Sequence, residues 1–465
     1  MRSFGAVSWS PHASPPRSLE RPDRAWRGWS QVPRCLQRYS AAVTHGEEHT
    51  VSEIRLDSYE AHFAARTRGM AASEIRALFA VANRPEVVSL AGGMPFLSAL
   101  DLDAVGDLAR QVIAEEGSVA LQYGGGQGHA PLREQLAHVM DHEGVPAHAD
   151  ELVVTTGGQQ ALDLTAKLLC NPGDVVLAEG PSYVGALSAF SAYEAEVMHV
   201  PMDGDGIAPD VLAERLGRIR ASGRRPKFLY TVPNHQNPAG VSLSEGRRQQ
   251  LAEIAAREDL LIVEDNPYGL LDFKGEMRTA LRSLVPERTI YIGTLSKIFS
   301  PGIRVGWIAA PGPLREKFVL LKEAADLCQS NLTQLLANRW LSTQDWQGLI
   351  EAFRDGHRER SDAMLSELTA EMPEGSTWNI PAGGFFVWLS LPPGMDAREL
   401  LPKALNARVA YVPGAAFFAD GSGGEHMRLS YCYPTPDRIR EGVRRLGSVV
   451  RTEAELRDAM YGEHH

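Results

Sequence analysis

The stretch 292–307, IGTLSKIFSPGIRVGW, sets Lys297 directly after Ser296 and seven residues before Arg304. A lysine in a small Ser-, Gly- and Pro-rich turn behind an apolar run is either a plain surface residue or an amine kept for chemistry. An amine that attacks carbonyls needs surroundings that lower its pKa, because the free ammonium is a poor nucleophile. Three other stretches carry polar residues at the ends of apolar runs. LLIVEDNPYG (260–269) closes with Glu264 and Asp265 and then Tyr268; an acid there caps a helix or pairs with a cation. TTGGQQ (155–160) has a Gly-Gly turn opening a helix, whose free N–H groups and dipole suit a phosphate. PNHQNPAG (233–240) supplies Asn237 in an Asn-Pro turn, with His235 read as a solvent-facing turn residue. Each has an ordinary turn or capping explanation when taken alone.

The elements that must position these residues alternate in type. Apolar runs at 151–156, 174–179, 227–233, 260–265 and 289–294 read as strands, and helical stretches separate them, among them 244–257. Short runs apolar on both faces, spaced by helices, indicate α/β architecture: a large domain with a mostly parallel, helix-flanked sheet. In such sheets ligands sit outside the carboxyl ends of the strands, where the polar stretches lie. Beyond residue 350 long charged helices precede GGFFVWLSL and MRLSYCY, which suggests a smaller α+β domain. A further helix is expected from the N-cap Ser73, with Ile75, Leu78, Phe79 and Ala82 on one face and Pro85 past its end. The expected divisions are 1–50 as a disordered or misassigned extension, 51–92 as a segment packing with the small domain, 93–335 as the large domain and 336–460 as the small one. Residues 1–50 are rich in Arg, Pro, Ser and Trp without periodicity; an organelle-targeting segment is the other reading.

Composition narrows the function class. With 47 basic and 58 acidic residues the formal charge is −11, which argues against non-specific binding to nucleic acid or an anionic membrane. Cys35, Cys170, Cys328 and Cys432 are far apart and show no metal-ligand spacing, so no metal is expected and the thiols suit a reducing compartment. No run approaches the roughly 18 apolar residues of a bilayer span. A cytoplasmic location is expected.

Asn237, Asp265, Tyr268, Lys297 and Arg304, in that order at strand ends, resemble the fold-type I pyridoxal-phosphate enzymes, and within them the class I/II aminotransferases. The likeness covers roughly residues 55–450 and is nearest to the 2-aminoadipate and multi-substrate branch. It rests on ASEIRALFAVANRPEVVSLAGGMP, LQYGGGQGHAPLRE, VVTTGGQQALDL, EGPSYVGAL, QNPAG, VEDNPY, LSKIFSPGIRVGW, PAGGFFVW and RLSY. The resemblance implies a transferase of amino-acid metabolism with pyridoxal 5'-phosphate as cofactor. Lys297 would bond the cofactor aldehyde, and Asp265 would pair with the ring nitrogen. Tyr268 and Asn237 would hydrogen-bond the phenolic oxygen, and Tyr183 would stack on the ring. Gly158, Gln159, Thr294, Ser296 and Arg304 would hold the phosphate, and Tyr123 would reach the phosphate of a neighbouring subunit in a homodimer. Arg428 would clamp the substrate carboxylate beside Gly93 and Asn237, and Arg76 would read a distal carboxylate. The implied reaction is transamination between an L-α-amino acid (2-aminoadipate, glutamate, leucine or an aromatic one) and a 2-oxo acid, 2-oxoglutarate first among them. A β-lyase, racemase or decarboxylase on the same cofactor, and a transcription regulator built on this fold, are the other readings; the acidic balance and the Arg428 clamp weigh against them.

Overall fold

The computed structural model describes Tyr59, residues 62–67, Met70 and residues 84–461. The chain divides into two compact units, 1–62 and 63–465. In the described part of the first, the His62 amide donates to the Tyr59 carbonyl at 2.8 Å. The helix expected from Ser73, and Arg76 with it, lie outside the described residues.

In the second unit the larger sheet has eight strands: β2 (Leu152–Thr155), β3 (Val175–Gly180), β4 (Glu196–Asp203), β5 (Gly206–Ile207), β6 (Pro226–Thr231), β7 (Leu261–Asp265), β8 (Thr289–Thr294) and β9 (Gly306–Ala309), after a short β1 (Val88–Ser89) that belongs elsewhere. Their order is β2-β9-β8-β7-β6-β3-β4-β5. The pairs among β8, β7, β6, β3 and β4 are parallel, whereas β9 runs antiparallel to both its neighbours and β5 antiparallel to β4. The five strands expected from apolar runs all form, each within a residue or two of its expected bounds. Strands β2, β3 and β6–β9 are largely buried on both faces, and helices such as Gly158–Leu169 and Glu245–Glu258 pack apolar stripes on them. Ala161, Leu162, Leu164 and Ala166 of the first are almost wholly removed from water, each larger side chain contributing about 1.5–3 kcal/mol by burial.

Register decides which strand ends meet. Gly306 of β9 lies opposite Thr155 of β2 on one side and Thr294 of β8 on the other. The Gly-Gly turn and the lysine turn therefore leave the same edge of the sheet side by side. A Cβ at Gly306 would sit 2.7 Å from the Gly157 carbonyl carbon, so only glycine lets the two turns approach.

A second, antiparallel sheet uses β10 (Thr377–Trp378), β11 (Phe386–Ser390), β13 (Val412–Pro413) and β14 (His426–Ser430), while β12 (Val409–Ala410) pairs in parallel with β1. The order in that sheet is β10-β11-β14-β13. Val387, Leu389, Met427 and Leu429 share a core with the helices Trp346–Glu371 and Pro436–Tyr461, which contribute Met364, Leu368, Val443 and Leu446. Past β1 the chain is held by Leu90, whose amide donates to Ala410 and whose carbonyl accepts from Ser430, both at 2.8 Å. Residues 91–94 are thereby delivered to the mouth of the large sheet. No described helix is long and apolar enough to cross a membrane.

Candidate active site

A cavity of about 590 Å³ lies beyond the carboxyl ends of β2, β6, β7 and β8. Its walls include Gly93, Gly158, Gln159, Tyr183, Asn237, Asp265, Tyr268, Thr294, Ser296, Lys297, Arg304 and Arg428. Chemistry-bearing residues from distant parts of the chain thus face one space. Tyr123 does not line it and is 76 % exposed. Among the described residues no group of three or more His, Cys, Asp and Glu could hold a metal.

Each polar side chain is held by its own element. Lys297, in the turn after β8, donates from Nζ to the Gly93 carbonyl at 2.9 Å. Asp265 ends β7 and accepts from the Tyr230 hydroxyl of the adjacent strand at 2.9 Å. Arg304 sits in a left-handed turn, φ 53°, and donates to the carbonyls of Thr156 and Pro301, both at 3.1 Å. Gly157, at φ 77°, begins the helix that presents Gly158 and Gln159; a Cβ there would lie 2.4 Å from Arg304 Nη2. The Thr294 hydroxyl donates to that of Ser296 at 2.9 Å. Arg428, on β14, donates to Asn237 Oδ1 at 2.8 Å and to the Ala91 carbonyl at 2.6 Å. Its guanidinium lies 4.2 Å from the Phe386 ring centroid and 5.0 Å from that of Phe417.

Comparison with known proteins decides what this arrangement belongs to. The family model for aminotransferase class I and II matches residues 85–446. The chain belongs to this family. It is similar to aromatic-amino-acid aminotransferase 1 of Thermococcus litoralis, 40% identical over 397 residues that span 85% of this chain and 95% of the relative. Among solved structures it is similar to the multiple substrate aminotransferase of Thermococcus profundus, with TM-score 0.82, 38% identity and coverage of 86% and 100%. It is also similar to the alpha-aminoadipate aminotransferase of Thermus thermophilus, complexed with N-(5'-phosphopyridoxyl)-L-leucine, with TM-score 0.79, 37% identity and coverage of 86% and 100%. The protein is a pyridoxal-phosphate-dependent aminotransferase of fold type I.

The electrostatics of this aminotransferase suit that cofactor. Lys297, Arg304 and Arg428 surround a cavity with Asp265 as its carboxylate, so the walls favour an anionic ligand. Burial lowers the Lys297 ammonium to about 8; Cys432 opposes that shift, and Arg428 and Arg304 add to it. An appreciable fraction of the amine is neutral near physiological pH. Burial raises Asp265 to about 7, partly countered by the Tyr230 hydrogen bond, so the carboxylate lacks a close cation of the kind a protonated ring nitrogen provides. Arg428 Nε is buried without a partner, and burial lowers its guanidinium to about 10. These unmet demands, beside a helix N-terminus opening on glycines, fit the phosphate, pyridine nitrogen and carboxylate of cofactor plus substrate.

His235 is not a solvent-facing turn residue: it is 2 % exposed, at φ 47°, with Nε2 3.6 Å from Asp272 Oδ2 and Nδ1 3.4 Å from the Ser242 hydroxyl. The glycines Gly383 and Gly384, just before β11, press on its side chain, and burial lowers it to about 4. It packs behind the Asn237 turn because the approach to β11 folds over that turn, a contact between segments about 150 residues apart. Arg76 lies outside the described residues. Tyr230 carries no functional signal in the sequence, because its place in the apolar run of β6 reads as core. Glu179, at the end of β3, looks in the sequence like any strand-end acid; it accepts from the Val232 amide and Gln236 Nε2, both at 3.0 Å, and so ties down the Asn237 loop. Arg248 is fully buried under the same loop, donating to the Pro233 carbonyl and Asn234 Oδ1, both at 2.7 Å.

Proposed function

We propose that this aminotransferase moves the amino group of an L-α-amino acid with an apolar, aromatic or dicarboxylic side chain to 2-oxoglutarate, in a reducing cytoplasm. The observation that carries the reading is the meeting of Lys297, Asp265, Arg304 and Arg428 on one cavity. When bound, pyridoxal phosphate supplies an aldehyde that exchanges amines and a ring that accepts the electron pair left at the substrate Cα. Lys297 Nζ would hold that aldehyde, and its amine would serve as the base that moves the substrate Cα proton. Asp265, steadied by the Tyr230 hydroxyl, would hold a proton on the ring nitrogen. Gly158 and Gln159, with Thr294, Ser296 and Arg304, would hold the phosphate, Tyr183 would stack on the ring, and Asn237 and Tyr268 would hydrogen-bond its phenolic oxygen.

Arg428 binds the substrate α-carboxylate bidentately, with Asn237 and the backbone at Gly93 alongside, and thereby orients the Cα–H bond. Met94, Leu162, Val184 and Phe386 add apolar wall to the cavity, in keeping with the aromatic donor named for the Thermococcus litoralis relative. A distal carboxylate would be read by Arg76. Tyr123 is proposed to complete the site of a second subunit in a homodimer; its exposure beside Val119 and Leu121, also exposed, supports that role. Separated free thiols at Cys170, Cys328 and Cys432 suit a reducing compartment.

A panel of amino donors against 2-oxoglutarate tests this reading. Aromatic, branched and dicarboxylic donors should bleach the holoenzyme absorbance and yield their 2-oxo acids with glutamate. Arg76→Gln should weaken dicarboxylic donors more than apolar ones. Pyruvate and ammonia from serine, without bleaching, would assign a lyase instead.

A further inference from the structure

Outside the cavity, one polar circuit ties together the two turns that frame its phosphate end. Lys322, in the helix Gly312–Asp326, is 0 % exposed and its Nζ lies 2.9 Å from Asp326 Oδ1. Asp326 Oδ2 accepts from Gln160 Nε2 at 2.7 Å, and the Thr156 hydroxyl oxygen stands 3.3 Å from it. Gln160 in turn accepts from the Thr156 amide at 2.7 Å, which locks the Gly-Gly helix start. On the other side the Thr156 hydroxyl contacts Gln329 Oε1 at 2.5 Å, and Gln329 Nε2 donates to the Arg304 carbonyl at 2.6 Å. The Arg304 guanidinium closes the ring on the Thr156 carbonyl.

An i,i+4 Lys–Asp pair on a helix ordinarily stands in solvent and contributes little to stability. Here the ammonium is buried, with the cost of desolvation that this brings and little net stability in return. What it achieves is a fixed carboxylate. Both oxygens are committed: one to Lys322, the other to the helix residue Gln160, with the Thr156 hydroxyl packed beside it. Through Gln329 the same unit holds the backbone of Arg304, a non-glycine residue kept in the left-handed region. We propose that Lys322 and Asp326, acting through Gln160, Thr156 and Gln329, are positioning residues that set the spacing between the Gly157–Gly158 helix start and the Arg304 guanidinium. None of Lys322, Asp326, Gln160 or Gln329 lines the cavity. Their effect is on the geometry of the phosphate cradle, and the inference rests on the cradle reading proposed above.

The test compares pyridoxal 5'-phosphate with pyridoxal, which lacks the phosphate, in binding titrations of the full chain stripped of cofactor. The wild-type chain prefers the phosphorylated form. Lys322→Met lowers that preference about tenfold, the scale of one misdirected charge-assisted contact, while affinity for pyridoxal changes little. Gln329→Met, which leaves the Lys–Asp pair in place and cuts only its link to Arg304, does the same and serves where Lys322→Met fails to fold. An unchanged preference in Gln329→Met, or equal losses for both forms, overturns the inference and leaves the cradle standing. No preference in the wild-type chain overturns the cradle reading itself.

Discussion

At the scale of single residues, the reactivity of this aminotransferase rests on how burial redistributes protons. Lys297 is lowered to about 8 from an ordinary 10.5, so its neutral fraction climbs as pH rises through 8 rather than through the ordinary lysine range. In the cofactor-free chain, acylation of Lys297 followed by mass spectrometry should give a rate midpoint near pH 8, with surface lysines about two units higher. A Lys297 midpoint in the ordinary lysine range would remove the burial account. Arg428 carries a different load, because its side chain serves Asn237 and Ala91 as well as the proposed carboxylate. Arg428→Gln should lower kcat/KM for every amino donor roughly 100-fold, mainly through KM, since a bidentate charge-assisted contact present in ground and transition state is lost. Steady-state kinetics with two donors of unlike side chain checks this; a loss confined to one donor would assign Arg428 to side-chain recognition.

At the scale of elements, the site is made by loops that buried polar residues hold still. The Asn237 loop is pinned by Glu179 from β3 and by Arg248 from the helix Glu245–Glu258. Arg248 donates to the carbonyls of Leu243, Thr279 and Pro233 and to Asn234, all within 2.9 Å. Arg248→Met would leave these acceptors without their donor and should destabilise the fold by about 3 kcal/mol or more, read as a lower denaturation midpoint in urea. A change under about 1 kcal/mol would mean that water replaces the guanidinium. Much of this level was legible in the sequence. The parallel strands and the helix near 244–257 announced themselves by apolar runs and periodicity, which depend on local chain order. Strand β9 did not: GWIA is four residues long, follows a Pro-Gly turn and takes its strand character from pairing with β2 and β8. His235 likewise looked like a turn residue, because nothing nearby in sequence says that the approach to β11 will cover it.

At the scale of the whole molecule, the proposed homodimer would make each site a joint product of two chains. Lys297→Ala should abolish turnover while cofactor still binds without a covalent link, and Tyr123→Ala should weaken retention of the phosphate. Dimers formed by refolding the two variants together should regain activity, because one site of each mixed dimer receives an intact Lys297 and an intact Tyr123. Recovery approaching about a quarter of wild-type activity is the expected ceiling: about half of the dimers are mixed, and each has one complete site. No recovery above the separate variants would place Tyr123 outside the shared site.

Chain order alone was enough to determine the α/β class, the strand-end location of the polar residues and membership of a pyridoxal-phosphate family, because periodicity is local and the short motifs, ordinary one by one, are specific in their joint order. Convergence was decided by tertiary structure. Gly93, Lys297 and Arg428 meet only because β1 is carried by β12 to the sheet mouth, and because Gly306 aligns two distant turns. The lowered amine at Lys297, the raised carboxylate at Asp265 and the buried support of Lys322 are likewise properties of an enclosed, low-dielectric space. No stretch of sequence possesses that space until the sheets and helices have closed around it.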